Sequence, residues 1–134
     1  MNCAFKNLVG ERNLLETVSL DFGGTLAYEV KDDHIVFYEI LSELGYKVDV
    51  EQLKDVFRSV RDWWRWEKVK TGKLWNEEAF IELIQHMISA LRLPNPRKLA
   101  LQVSELWPHR VVFRAYEDVE PALKELKNGG FVLL

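Results

Sequence analysis

The chain has 134 residues, of which 48% are hydrophobic and 29% charged, and its formal net charge at pH 7 is −3. This length and composition indicate one globular domain, or one domain with a small insertion, and the mixed charges exclude the basic surface of a nucleic-acid-binding protein. A single cysteine, Cys3, excludes an intrachain disulfide framework and a thiolate metal site. No apolar run reaches the roughly 18 residues of a membrane span, and the first residues lack the order of a signal peptide, so we expect a cytoplasmic protein.

The first ordered feature is a short strand that ends in a carboxylate. Residues 1–16 show no clear period and are interpreted as an N-terminal extension. Residues 17–21 are short and partly β-branched, and Gly23 and Gly24 follow them, which predicts a strand that ends at a tight turn. Such a strand places the carboxylate of Asp21 at the carboxyl end of a sheet, where open α/β folds build their sites.

The middle of the chain has a helical pattern. Apolar residues recur at helical spacing in four successive stretches, at 35–44, 50–64, 80–91 and 99–106. Gly45, the pair Thr71-Gly72 and the run 94–96 separate these stretches, and Asn76 is placed to cap the third helix. Four helices between two strand signals predict a helical insertion and not a single crossover helix.

The strand pattern returns near the C-terminal end of the sequence. Asp118 is placed to cap a helix, the pair Gly129-Gly130 ends it, and residues 131–134 begin what we expect to be a buried strand. Strand, insertion, helix and strand together form a βαβ unit. We therefore expect an α/β fold that is mostly helical by content. It would consist of a partial Rossmann-like core, formed by residues 17–32 and 111–134, and an inserted four-helix cap, formed by residues 33–110.

The motif and the order of these segments resemble a known superfamily. Asp21-Phe-Gly-Gly-Thr-Leu26 after a strand resembles the first motif of the haloacid dehalogenase (HAD) superfamily, which is usually written Asp-x-Asp-Gly-Thr-Leu. The stretch 116–134 looks like the helix and strand that lead to that family's second motif. The helical segment is similar to the family's helical cap, and residues 70–80 are similar to a recurrent start of a cap helix. The resemblance covers residues 17–134 and implies a HAD-like fold.

The resemblance also implies a chemistry. Asp21 matches the nucleophile that attacks phosphorus and forms an aspartyl-phosphate, so the implied activity is that of a Mg²⁺-dependent phosphohydrolase. The Asp21 carboxylate and the backbone carbonyl of Gly23 would bind the Mg²⁺. Amides around Gly24 would approach the phosphoryl oxygens of a small phosphorylated or related anionic substrate, and Thr25 would help to hold the turn.

The sequence departs from the family pattern in two places. Gly23 stands where most family phosphatases carry a second Asp, the general acid/base, and positioned acid–base catalysis contributes typically 10²–10⁴-fold. This argues against an ordinary sugar-phosphate phosphatase and leaves a dehalogenase-type reaction open as a third interpretation. The Ser or Thr of the second motif, the Lys of the third and the acids of the fourth would all follow Leu134. We therefore expect the active site of the lone chain to be incomplete.

The main alternative is a helical interaction or oligomerisation module without enzymatic activity, derived from the same family. An apolar strand at 131–134 leaves an edge that can pair with another strand. We therefore expect a homo-oligomer or strand exchange through this edge, and no nucleic-acid or membrane partner.

Two sets of side chains in the helical segment have alternative interpretations. Trp63, Trp64, Trp66, Trp75 and Trp107 would suit a ligand box lined by aromatic rings, but we favour packing of the helices against each other. Arg58, Arg61 and Arg65 would suit contact with an anionic substrate, but we favour a solvated helix face.

Overall fold

The computed structural model describes residues 16–134, and this part of the chain is mostly helical. Its α-helices are α1 (Asp33–Glu43), α2 (Val50–Thr71), α3 (Glu77–Ala90), α4 (Pro96–Leu106) and α5 (Val119–Asn128). Its strands are β1 (Thr17–Val18), β2 (Ala27–Glu29), β3 (Phe113–Ala115) and β4 (Val132–Leu133). A 3₁₀-helix, Trp107–His109, follows α4. None of the helices among these residues has the length and apolar character needed to cross a membrane.

The chain divides into two compact units. One consists of residues 31–112 and contains α1 to α4, and we call it the helical unit. The described part of the other consists of residues 16–30 and 113–134, and we call it the strand unit. The sequence analysis placed the insertion at 33–110, and the N-terminal extension at 1–16 lies outside the described residues except for Glu16.

Local signals in the sequence set the ends of the helices. The Asp49 side chain accepts a hydrogen bond from the Gln52 N–H at 2.9 Å and so caps α2. At the other end, Gly72 has a φ of 69°, the left-handed conformation that terminates many helices. The Asn76 side chain accepts from the Ala79 N–H at 2.8 Å, which confirms the predicted cap of α3.

The hydrophobic core lies in the helical unit. Each of α1 to α4 buries its apolar face, and the largest fully buried side chains are Phe37, Ile40, Leu41, Leu53, Ile84, Met87, Ile88, Leu99, Val36 and Val103. Among the described residues, Ala27 is the one buried hydrophobic side chain outside this unit. No polar or charged residue of the described part is buried. The helical unit therefore holds almost all of the apolar burial that stabilises the described chain.

Ion pairs join neighbouring helices at the surface of this unit. Arg61 of α2 contacts the Asp33 carboxylate of α1 at 2.5 Å, and Arg97 of α4 contacts the Glu78 carboxylate of α3 at 3.0 Å. The hydrogen bond from Arg97 lowers the pKa of Glu78 below its ordinary value. Exposed pairs of this kind add little stability, so apolar packing decides the arrangement of the helices.

The strand unit contains a parallel pair of strands. β1 and β4 pair in parallel, with Thr17 opposite Val132 and Val18 opposite Leu133, and α5 precedes β4 in the chain. The sequence predicted both strands, but the predicted ranges, 17–21 and 131–134, were too long. The expected burial of the second strand was wrong, because 56% of Val132 and 75% of Leu134 are exposed. A strand becomes buried only when layers cover both faces of its sheet, and α5, the one helix among the described residues of this unit, has no buried residue.

The sequence analysis missed a second, antiparallel pair. β2 and β3 place Ala27 opposite Ala115 and Glu29 opposite Phe113. Each strand has three residues, which is too short for a period of two to stand out. The pair connects the chain that follows Asp21 with the chain that precedes α5. An aromatic contact supports it, since the Phe22 and Phe113 ring centroids lie 5.1 Å apart.

Because the core lies in the helical unit, shortening an apolar side chain there is expected to destabilise the protein more than the same change in the strand unit. Leu41→Ala removes fully buried atoms from α1 and is expected to lower the free energy of unfolding by about 2–5 kcal/mol. Leu126→Ala on α5 is the matched control, and the half-buried side chain of Leu126 is expected to cost about 1 kcal/mol or less. Urea unfolding followed by circular dichroism measures both. Equal losses would contradict this distribution of the core.

Candidate active site at the Asp21 turn

Asp21 lies just beyond the carboxyl ends of the two parallel strands. The Leu20 N–H donates to the Leu134 carbonyl at 3.0 Å, so the pairing of β1 with β4 continues up to the residue before Asp21. The Asp21 side chain is exposed. A carboxylate is thus presented to solvent at the edge of a parallel pair where α/β proteins bind ligands.

A set of backbone hydrogen bonds fixes the turn after Asp21. The Phe22 carbonyl accepts from the N–H groups of Leu26 at 2.9 Å and Ala27 at 3.0 Å, and more weakly from Thr25 at 3.4 Å. Gly24 has a φ of 78°, a conformation that residues with a Cβ rarely adopt. The turn therefore requires glycine at position 24.

Thr25 binds the candidate nucleophile directly. Its Oγ1 hydroxyl donates to Oδ2 of Asp21 at 3.2 Å. The sequence analysis expected Thr25 to hold the turn, and the structure shows that the hydroxyl also restricts the orientation of the carboxylate. Because the second carboxylate oxygen, Oδ1, has no such partner among residues 16–134, it is the oxygen left to contact a ligand.

The amides of the turn differ in their availability to a ligand. The Gly24 N–H donates to the Ala27 carbonyl at 2.7 Å and is already engaged. By contrast, the N–H groups of Phe22 and Gly23 have no hydrogen-bond partner within the described part of the chain. The sequence analysis expected amides around Gly24 to approach a ligand. Of these amides, those of Phe22 and Gly23 remain available, and that of Gly24 does not.

The turn carries oxygen atoms of the chemical type that Mg²⁺ prefers. Mg²⁺ prefers oxygen ligands and is often held by one or two carboxylates, with water in the remaining positions. The Asp21 carboxylate and the Gly23 carbonyl are oxygen donors of this kind. Across residues 16–134, however, no group of three or more His, Cys, Asp or Glu side chains lies close enough to hold a metal ion. The turn offers suitable donors but only part of a coordination shell.

Position 23 does not require glycine. No atom lies within 4 Å of the place that a Cβ on Gly23 would occupy, and its φ lies outside the left-handed region. A side chain at this position would therefore meet neither a steric clash nor backbone strain. In contrast to Gly24, Gly23 is not explained by the geometry of the turn.

The three arginines of α2 are engaged with carboxylates. They line a cavity of about 380 Å³ in the helical unit, together with residues near the start of α1. Arg61 binds Asp33, while Arg58 and Arg65 lie 3.7 and 3.5 Å from aspartates of their own helix. These pairings agree with the solvated helix face that the sequence analysis favoured.

Comparisons with known proteins do not assign this chain to a family. No protein-family model matches the chain, and no curated protein or solved structure is significantly similar to it.

Proposed function

We propose that this chain is HAD-like, with a partial Rossmann-like core and a helical cap, and that Asp21 is the nucleophile of a Mg²⁺-dependent phosphohydrolase whose active site is incomplete in these residues. The observation that carries the proposal is the placement of Asp21. It follows the parallel strand β1 onto a glycine turn, and the Thr25 hydroxyl of that turn binds its carboxylate. A carboxylate needs such orientation to act as a nucleophile.

In the proposed step, an Asp21 carboxylate oxygen forms a bond to phosphorus. The bond between phosphorus and the leaving oxygen breaks, and its electron pair departs with that oxygen. Thr25 holds Oδ2, which leaves Oδ1 for attack. The N–H groups of Phe22 and Gly23 are free to donate to phosphoryl oxygens. Mg²⁺, held by Asp21 and the Gly23 carbonyl, would neutralise charge on the phosphoryl group.

The residue at position 23 restricts the substrate class. Gly23 has no side chain that can protonate the leaving oxygen. The substrates that react best are therefore phosphates whose leaving group is already a stable anion, such as acyl phosphates. Alkyl phosphates need an acid at this point, and its absence costs typically 10²–10⁴-fold.

A second candidate function is a helical interaction or oligomerisation module. It is favoured by the concentration of the core in the helical unit, because residues 31–112 bury their apolar faces among themselves. Among residues 16–134, β4 pairs with β1 alone, so no described strand occupies its second edge. The N–H groups of Val132 and Leu134 point toward β1, so the N–H of Leu133 between them faces the opposite edge. Association through residues 131–134 with a second copy is the form that this module would take.

The magnesium proposal is tested by titrating ¹⁵N-labelled protein with millimolar Mg²⁺. The amide resonances of residues 21–25 are expected to shift, because the metal binds the Asp21 carboxylate and the Gly23 carbonyl. Asp21→Asn is expected to abolish these shifts, whereas Asp118→Asn, an exposed aspartate of the same unit, is expected to retain them. Shifts that survive Asp21→Asn would remove Asp21 as a metal ligand.

The nucleophile proposal is tested by incubation with acetyl phosphate and Mg²⁺. Because the active site is expected to be incomplete in these residues, mass spectrometry is expected to locate a phosphoryl group on a minor fraction of Asp21. The reaction is still expected, because acetate departs without a proton. No adduct is expected with Asp21→Asn or with an alkyl phosphate. Gly23→Asp, which the open space at position 23 accommodates, is expected to extend the reaction to alkyl phosphates. An adduct on another residue, with Asp21 unmodified, would overturn the assignment.

The oligomerisation proposal is tested by analytical ultracentrifugation over a range of concentrations. The parent chain is expected to form a concentration-dependent dimer. Val132→Lys places a charge on β4 and is expected to restore the monomer, since charged residues on an edge strand oppose pairing. Val112→Lys is the matched control, because Val112 is 53% exposed but lies outside β4. A parent chain that stays monomeric at every concentration would exclude this mode of association.

A further inference from the structure

A cavity lined by aromatic rings lies in the helical unit, where α3 begins and α4 ends. Its volume is about 510 Å³, and it is largely open to solvent. Trp75, Phe80 and Trp107 supply its rings, and Glu77 supplies a carboxylate. The remaining lining residues are uncharged. None of these residues belongs to the Asp21 turn.

Neighbouring rings of the cavity are in edge-to-face contact and are not stacked. The Trp75 and Phe80 rings have centroids 6.0 Å apart and planes inclined by 70°. The Phe80 and Trp107 rings have centroids 5.3 Å apart and planes inclined by 69°. Consecutive rings are thus in edge-to-face contact, so rings of different orientation line the cavity. The face of an aromatic ring carries negative electrostatic potential.

Among the described residues that line the cavity, Glu77 carries the one formal charge, and this charge is negative. Within residues 16–134, the Glu77 carboxylate has no ion pair or side-chain hydrogen bond. The acid next to it, Glu78, is by contrast paired with Arg97 at 3.0 Å. The start of α3 favours an anion, but the Asn76 side chain already occupies one of its free N–H groups. The cavity thus combines aromatic rings with a carboxylate that has no ion pair among the described residues.

We propose that this cavity binds an alkylammonium ion, such as the trimethylammonium group of a choline-like small molecule. Cations that lie over aromatic faces are attracted by the ring quadrupole, and the Glu77 carboxylate adds a direct charge interaction. Metal ions such as Mg²⁺ prefer oxygen ligands, whereas this cavity is walled mainly by aromatic rings. The apolar rings instead suit a cation that carries methyl groups. This site is independent of the chemistry proposed at Asp21.

The test compares a cation with its neutral isostere. Choline and 3,3-dimethylbutan-1-ol have nearly the same shape, but only choline is charged. Each is titrated into ¹⁵N-labelled protein while the indole N–H resonances are followed. The Trp75 and Trp107 resonances are expected to shift with choline, and that of Trp66, which is 75% exposed and outside the cavity, is expected to stay. Choline is expected to bind about fivefold more tightly than the neutral alcohol.

Two pairs of variants locate the interaction. Glu77→Gln is expected to weaken choline binding about fivefold, whereas Glu78→Gln removes an equal charge from the same turn and is expected to change it less than about twofold. Trp75→Leu is expected to weaken binding similarly, while Trp66→Leu is not. Circular dichroism checks that each variant remains folded. Equal affinity for choline and the neutral alcohol, or equal effects within either pair, would overturn the proposal.

Discussion

Burial of the apolar faces of α1 to α4 is the interaction on which the described structure depends. The hydrophobic effect scales with the apolar area removed from water, and nearly all fully buried side chains of the described chain lie in these four helices. Ion pairs and caps adjust this arrangement at its surface. The described residues of the strand unit include one buried hydrophobic residue, Ala27, and form two sheets of two strands each. Its geometry is set by backbone hydrogen bonds more than by packing.

The two units therefore use different physical means to present functional groups. At the Asp21 turn, hydrogen bonds to one carbonyl and a left-handed glycine set the backbone, and a hydroxyl then orients the carboxylate. In the helical unit, close packing of helices sets the positions of rings such as Phe80 and Trp107, and a helix start supplies Glu77. The first arrangement is the one for which we propose phosphoryl chemistry, and the second is the one for which we propose an organic cation.

The sequence predicted the features that depend on local signals. Asn76 as a cap, Gly72 as a helix end and the four helical stripes all follow from interactions within a few residues, so the periodicity and the capping side chains were sufficient. It also predicted the parallel pairing of the strands that flank the insertion. Burial of residues 131–134 was predicted wrongly, because burial depends on layers that no local pattern specifies.

For the candidate site, the sequence predicted which residues lie together but not the contacts that the folded turn creates. The motif placed Asp21 and Thr25 together, but the hydrogen bond between them depends on the turn closing through the Phe22 carbonyl. The engagement of the Gly24 amide and the empty space beside Gly23 are consequences of that closure. Likewise, Trp75 and Trp107 are more than thirty positions apart in the sequence, and only the packing of α3 against α4 brings them to one cavity.

The sparse burial of the strand unit has a thermodynamic consequence for any ligand of Asp21. Segments with few buried contacts open locally at a lower free energy than the global unfolding of a protein. Amide hydrogens of β1, β4 and α5 will then exchange with solvent faster than those of α1 or α3. A ligand that binds the closed turn adds its binding free energy to the closed state. Occupancy of the Asp21 turn and order in the surrounding strands are thus coupled, and slower exchange in β1 would report the bound ligand.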